Sequence, residues 1–460
     1  MHRTAPVAPV APSAPVAPGA GPLRRELGRW DLTAIGVNQV IGSAIFLLPA
    51  DIARHIGPWG PLAFLGAGLA SLLIALCFAE VGSRFDRTGG PYLPARVAYG
   101  RFIGFEVGWM MWFTRVASQA SVANGLALAL ALYWPVLGQQ YPIASGLSLP
   151  GPERALLIIT LTLILTWINI RGIKQASWVV NTLTIGKLAP LVLFILAGIW
   201  FIDPARFTAL PPVTAGQLGT AALLLIFAYG GYEVTGIPAG EAANPRRDVP
   251  FAFVMTILTV SVVMVLTSVV ATGLLPDIGA TRTPLADGAA IVMGTVGALI
   301  VTAGSALSMT GNNMGQILTG SRTIFALAEN RDLPRWFAKV HPLHHTPSNA
   351  ILFTAAVALT LALTGSFVQL AAVSAVARLV MYLAVCTATL VLRRRTPDEL
   401  MGPAQFTAPL GPVVPVLASI VALSILAGAT TQQLLAGAAA LAAGAGLFLI
   451  ARRTAVSSRD

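Results

Sequence analysis

From Met255 to Leu275 the chain runs without a single charged side chain, and similar stretches lie at Ala155–Trp167 and Leu188–Ile202. Such runs leave few options for folding. A helix that spans a bilayer needs about 20 mostly apolar residues, whereas membrane barrels use short alternating strands. The composition agrees: 10% of the 460 residues are charged and 56% are hydrophobic, where a soluble domain carries roughly 25% charged residues. An all-α, polytopic membrane protein is expected.

The net charge of +11 does not point to nucleic acid, because Lys and Arg gather in short segments between apolar runs. Twelve spans are expected, near 32–56, 61–82, 100–134, 154–171, 176–201, 216–241, 250–275, 291–327, 349–364, 367–392, 410–428 and 431–451. On that map 22 of the 29 basic residues fall on one face, four on the other, and Arg115, Lys187 and Arg378 inside spans. Positive loops resist translocation, so both termini are expected in the cytoplasm of a cell whose inner or plasma membrane holds the protein. Residues 1–22 form a Val-Ala-Pro tract expected to be a disordered tail. Cys77 and Cys386 lie in apolar runs and read as small buried hydrophobes, with no disulfide indicated.

A repeat organises the rest. Span 1 carries Gly42-Ser43-Ala44 with Pro49 seven residues after Gly42; span 6 carries Gly230-Gly231 with Pro238 seven residues after Gly231. Five spans apart, the two motifs enter the bilayer in opposite directions. Glycine-interrupted spans at matching places in inverted halves point to a transporter's binding site. The division expected is 23–205 for the first repeat, 206–396 for the second, and 397–460 for two added helices and a short tail.

Backbone left unpaired at membrane depth is tolerated only where it lines protein or a cavity. An opened stretch at Gly42–Ala44 offers N–H groups at a helix start, suited to a carboxylate. Freed carbonyls near Val40, Phe227 and Gly230 suit an ammonium group. The backbone set Val40, Ile41, Gly42, Ser43, Ala44, Phe227, Ala228 and Gly230 is therefore the candidate site. The competing reading is that these glycines only permit close helix packing.

Ionisable groups at membrane depth are costly and mark function. Glu233 competes for three roles: proton carrier, gate, or packing partner of an arginine. Arg115 is expected to pair with Glu106 or Glu80. Arg378 lies 147 residues after Gly231 and Lys187 lies 145 after Gly42, a near-symmetric pair of cations. Met111, Trp112, Tyr232 and Gln316 are candidates to wall a substrate side chain, with Asn312 and Asn313 read first as helix-packing amides. His341, His344 and His345 lie in a loop without Cys or carboxylate partners, a weak metal pattern.

The sequence resembles the amino acid–polyamine–organocation superfamily. The residues that carry the likeness are GSAIFLLPADIA (42–53), FAYGGYEVTGIPAGEAANPRRDVP (227–250), SRTIFALAENRDLP (321–334), LVLRRR (390–395) and Thr88-Gly89-Gly90-Pro91-Tyr92. The likeness spans essentially 24–453, and its nearest patterns are bacterial antiporters for basic amino acids and related permeases. It implies a five-plus-five inverted repeat with discontinuous helices 1 and 6. It also implies carboxylate binding by the Gly42–Ala44 N–H groups and amine binding by the Val40, Phe227 and Gly230 carbonyls. Ala44 departs from the family's usual glycine and narrows the pocket floor. Lys187 matches a family lysine whose ammonium stands where sodium-coupled relatives hold a cation, which implies sodium-independent coupling.

A secondary transporter of amino acids is thus expected, neutral ones first, driven by protons or a counter-substrate and using no cofactor. Exchange of cationic amino acids or polyamines is the alternative. No GxxxxGKS phosphate loop is present, and no converging set of nucleophile, base or metal ligands marks an enzyme. A channel would lack paired broken helices around a midplane site.

Overall fold

A computed structural model describes residues 27–457 except 87–88, 145–146, 172–175, 209, 345 and 398–400. The 1–22 tract and His345 lie outside the described residues.

The chain forms fourteen α-helices among the described residues. They are α1 (Arg29–Val40), α2 (Ala44–Ile56), α3 (Gly60–Gly82), α4 (Tyr92–Tyr99), α5 (Arg101–Leu130), α6 (Pro152–Arg171) and α7 (Ala176–Gly198). The second set is α8 (Ala215–Tyr229), α9 (Pro245–Leu274), α10 (Pro284–Glu329), α11 (Ser348–Thr364), α12 (Phe367–Arg393), α13 (Val413–Ala427) and α14 (Thr431–Ser457). A short antiparallel hairpin, β1 (Gln140–Ala144) and β2 (Leu147–Pro150), interrupts the loop before α6. That hairpin amends the all-helical expectation in one place.

Seven stretches among the described residues are long and apolar enough to cross a bilayer, and Gly186–Phe201, Ser348–Thr364 and Val413–Ala427 are shorter apolar helices. The surface fits hydrocarbon rather than water: Trp200 is 85% exposed, Val296 66% and Leu156 65%. Apolar area on that scale is a contact surface. Much of the polar inventory is inside, including Ser118, Asn124, Thr256, Ser308, Asn312 and Ser374. Buried hydroxyls and amides join membrane helices by hydrogen bonds, as Ser121 does to the Phe367 carbonyl at 2.8 Å.

α5 packs along α10 and α12, α3 along α9, and α1 against α9. Close approach explains several small residues. A Cβ on Gly36 would meet Thr256 Oγ1 at 2.4 Å, and one on Gly304 would meet Pro190 at 2.4 Å. α10 is continuous across a kink at Gly294, whose φ of 64° is left-handed. α1, the α2 start, α5, α8, α10 and α12 each contribute residues to the wall of one small cavity.

Candidate functional site

Two helices are broken at the centre. α1 ends where Ile41 turns extended (φ −74°, ψ 90°), and α2 starts after Ser43, whose side chain makes no cap. The first N–H groups of any α-helix lack intrahelical partners, so those at the start of α2 face the interior unspent by the helix. α8 ends at Tyr229; Gly230 is extended (φ −74°, ψ 149°), and a 3-10 segment runs over Tyr232–Glu241. Gly231 between them has φ 125°, open to glycine alone at little cost, and a Cβ there would stand 2.6 Å from the Gln39 carbonyl oxygen. The two breaks therefore touch.

Each break has a buried cation. Lys187, on α7, is fully buried, and its Nζ donates to Asn38 O at 3.0 Å, Asn38 Oδ1 at 2.9 Å and Ile41 O at 3.0 Å. All three ammonium protons are thereby used. Ser308 Oγ donates to the same opened turn, 3.2 Å from both the Ile41 and Gly42 oxygens. Arg378, on α12, lies against the other break: a Cβ on Gly230 would fall 2.2 Å from its Nη1.

Glu233 is the hub beneath the second break. Its Oε1 accepts from Arg115 Nη2 and from Arg378 Nε at 3.1 Å; its Oε2 accepts from the Gly231 N–H at 2.8 Å and the Tyr382 hydroxyl at 3.0 Å. Arg115 also reaches Gln316 Oε1 at 3.3 Å. This corrects the pairing expected for Arg115. Glu80 is taken instead by Arg393, at 2.5 Å from Nη2, and by Arg84 at 3.6 Å. Neither oxygen of Glu106 has a hydrogen-bond partner among the described residues. Sequence separation could not rank these partners, because the Glu233 contact depends on how α8 breaks.

A family model described as amino acid permease matches residues 27–445. The chain belongs to that family. It is a transporter, and its apolar helices make it a multi-pass membrane protein. A branched-chain amino acid permease of Bacillus subtilis is 28% identical over 421 residues, covering 89% of each chain. The methylthioribose transporter of the same organism is 28% identical over 405 residues, 86% of this chain and 87% of its own. A vacuolar cationic amino acid transporter of Arabidopsis thaliana is 28% identical over 394 residues, 83% of this chain and 65% of its own. Equal identity to relatives with such different named cargoes means that the substrate must be argued from the site.

In this permease the breaks enclose a small cavity. Of the expected residues, Val40, Gly42, Ser43, Ala44, Phe227, Gly230 and Gln316 line it. Ile41 and Ala228 are buried beside it, Ile41 spending its carbonyl on Lys187. The Phe227 carbonyl already accepts the Gly230 N–H at 3.1 Å, which leaves one lone pair for a ligand. The open space at its centre is about 20 Å³, room for a water molecule and not for an amino acid.

Three expected wall residues are elsewhere. Trp112 donates to Thr354 Oγ1 at 3.1 Å and stacks on Phe353, facing α11. Met111 lies on the cavity's face of α5 but two turns away, under Gly90. Tyr232 packs edge-on against Phe78 and beside Tyr382, below the ion pairs. The α5 residues that do line the cavity are Ser118 and Val122. At 100° per residue, 111, 118 and 122 share a face while 112 does not; depth along α5 carried no sequence signal. Gln39, Asn312 and Arg378 complete the wall. The Asn312 amide donates to Gln39 O at 3.0 Å, tying α10 to the end of α1; the sequence marks it only as a helix-packing amide. Asn313 instead bonds its own helix, at Met309 O.

A second cavity opens on the far side of the ion pairs, lined by Glu233, Phe78, Phe85, Pro91, Ala239 and Phe253 among others. Arg378 lines the central cavity and Glu233 this one. Their bond is part of the partition between the two. Beyond it the chain is clamped again, with Asp332 holding Tyr92 at 2.8 Å and Arg101 at 2.5 Å. Burial, then the Asp332 carboxylate, pushes the Tyr92 phenol up to about 12, so it stays a donor at any physiological pH.

Proposed function

We propose that this permease is a secondary active transporter that carries α-amino acids across the cytoplasmic membrane by proton coupling or exchange, independently of sodium. The observation that carries the reading is the meeting of two helix breaks around a small polar cavity. The start of α2 offers N–H groups for the carboxylate; carbonyls of Val40 and Gly230 are placed for the ammonium. Gln39, Asn312 and Gln316 supply polar contacts around them.

Twelve spans follow if α1 and α2 form one interrupted span, α8 with its 3-10 segment forms another, and the eight-residue α4 lies outside the bilayer. An inverted repeat is supported by the cations: Lys187 serves the first break from the fifth span of its half, and Arg378 the second break from the fifth span of the other. Both termini are then cytoplasmic, as the basic loops require, and the second cavity is the cytoplasmic approach. Glu233 acts as a lock between α5, α8 and α12, since four donors already occupy its oxygens. Opening toward the cytoplasm separates this lock.

With Lys187 covering the oxygens of the α1 break, no oxygen cage is left there for sodium. A guanidinium against Gly230 also disfavours a cationic substrate, so the basic amino acid and polyamine alternative recedes. The test is counterflow in proteoliposomes with choline replacing sodium. Internal unlabelled amino acid should accelerate entry of the labelled one in either salt. Uptake that needs sodium would overturn the coupling, and absence of trans-acceleration would overturn the carrier mechanism.

A further inference from the structure

Arg378 is only partly satisfied. It is 1% exposed, bonded through Nε to Glu233 at 3.1 Å and through Nη2 to Ser118 Oγ at 3.4 Å. Its Nη1 has no hydrogen-bond partner among the described residues, and the residue forms part of the central cavity's wall. Ser43 Oγ, on the same wall and 1% exposed, is also without a partner among the described residues. A buried charged donor left unpaired is costlier than a neutral one.

The charges are unbalanced as well. Arg115 and Arg378 share the single carboxylate of Glu233, which leaves one positive charge over in a buried cluster, an expensive state unless something answers it. A zwitterion cannot, because its carboxylate and ammonium cancel. A cationic substrate would worsen the excess. An amino acid with a second carboxylate supplies both the missing charge and the missing acceptor.

Resting on the reading of this cavity as the amino acid site, we infer that Arg378 determines specificity and that the substrate carries an acidic side chain. The side-chain carboxylate accepts from Arg378 Nη1, with the Ser43 hydroxyl as a second donor, while the α-carboxylate stays at the start of α2. This goes beyond the neutral substrate expected first from the sequence.

The experiment compares isosteres. The full chain is reconstituted in proteoliposomes at pH 7, where side-chain carboxylates are ionised. Entry of labelled glutamate and of labelled leucine is measured against unlabelled glutamate, glutamine, aspartate, asparagine and arginine. Glutamate should compete roughly tenfold or more better than glutamine, as a buried charged partner demands. Arg378→Gln should shrink that ratio to within about threefold, with Arg378→Lys retaining part of it. If either variant fails to fold, the wild-type glutamate-to-glutamine ratio decides alone. Glutamine equal to glutamate in the wild type would place Arg378 on the α-carboxylate or in packing and overturn the inference. Exchange of leucine with no effect of glutamate overturns this inference alone; no exchange with any amino acid overturns the site as well.

Discussion

Arg378 Nε donates to Glu233 Oε1 at 3.1 Å, yet the two residues line different cavities. A buried bond in the wall between two cavities ties folding energy to keeping them apart. Removing the carboxylate charge while leaving both arginines exposes that coupling.

Glu233→Gln should destabilise the permease by about 3–5 kcal/mol, the cost of stripping one partner from a buried ion cluster. Thermal unfolding in detergent checks this. A double variant, Glu233→Gln with Arg115→Met, should recover part of the loss because one unpaired guanidinium is gone. A Glu233→Gln protein as stable as the wild type would mean that the lock contributes nothing.

Lys187→Ala should abolish transport while membrane insertion is kept, since removing a charge from a span eases insertion. Three oxygens of the α1 break then lose their donor. The readout is uptake normalised to protein in the membrane, with sodium and choline buffers giving equal rates for the wild type. Rescue of Lys187→Ala transport by sodium would show that the vacated oxygens take that ion.

Trp112→Phe should leave substrate affinity within about threefold and lower stability by about 1 kcal/mol, the usual worth of one hydrogen bond. The indole N–H bonds Thr354 on α11 and does not face the cavity. Ser118→Ala, on the cavity face, should weaken substrate binding more than Trp112→Phe does. Equal effects would argue against this orientation of α5.

Much of this arrangement was legible in the sequence, because membrane depth makes polar and glycine residues conspicuous. Gly42, Gly230, Lys187, Glu233 and Arg378 each stand out in an apolar run, and the structure gathers all five at the two breaks. Side-chain depth was not legible. Met111 and Ser118 sit on one face of α5 two turns apart, and only the crossing of α5 with α12 decides which reaches the cavity. Partner choice was hidden for the same reason: Arg115 had acidic candidates in Glu80 and Glu106, and the turn at Gly231 brings Glu233 to it instead. The strand pair Gln140–Ala144 and Leu147–Pro150 lies beyond the span expected at 100–134, where the sequence reads only as a loop.

The central claim is that substrate binds to backbone opened at the α1 break. Gly42→Val tests it most directly, with substrate affinity measured by calorimetry on the purified, folded variant. A Cβ at position 42 would stand 3.0 Å from the Asn312 amide nitrogen, and a β-branched side chain stiffens and crowds the turn that must admit the carboxylate. The account predicts that amino acid binding falls by roughly a hundredfold or more, as expected for losing two charge-assisted hydrogen bonds, with the unfolding temperature little changed. Ala44→Gly, which removes a methyl group from the cavity wall, should bind at least as well as the wild type. Wild-type affinity in a well-folded Gly42→Val protein would contradict the claim and return these glycines to helix packing.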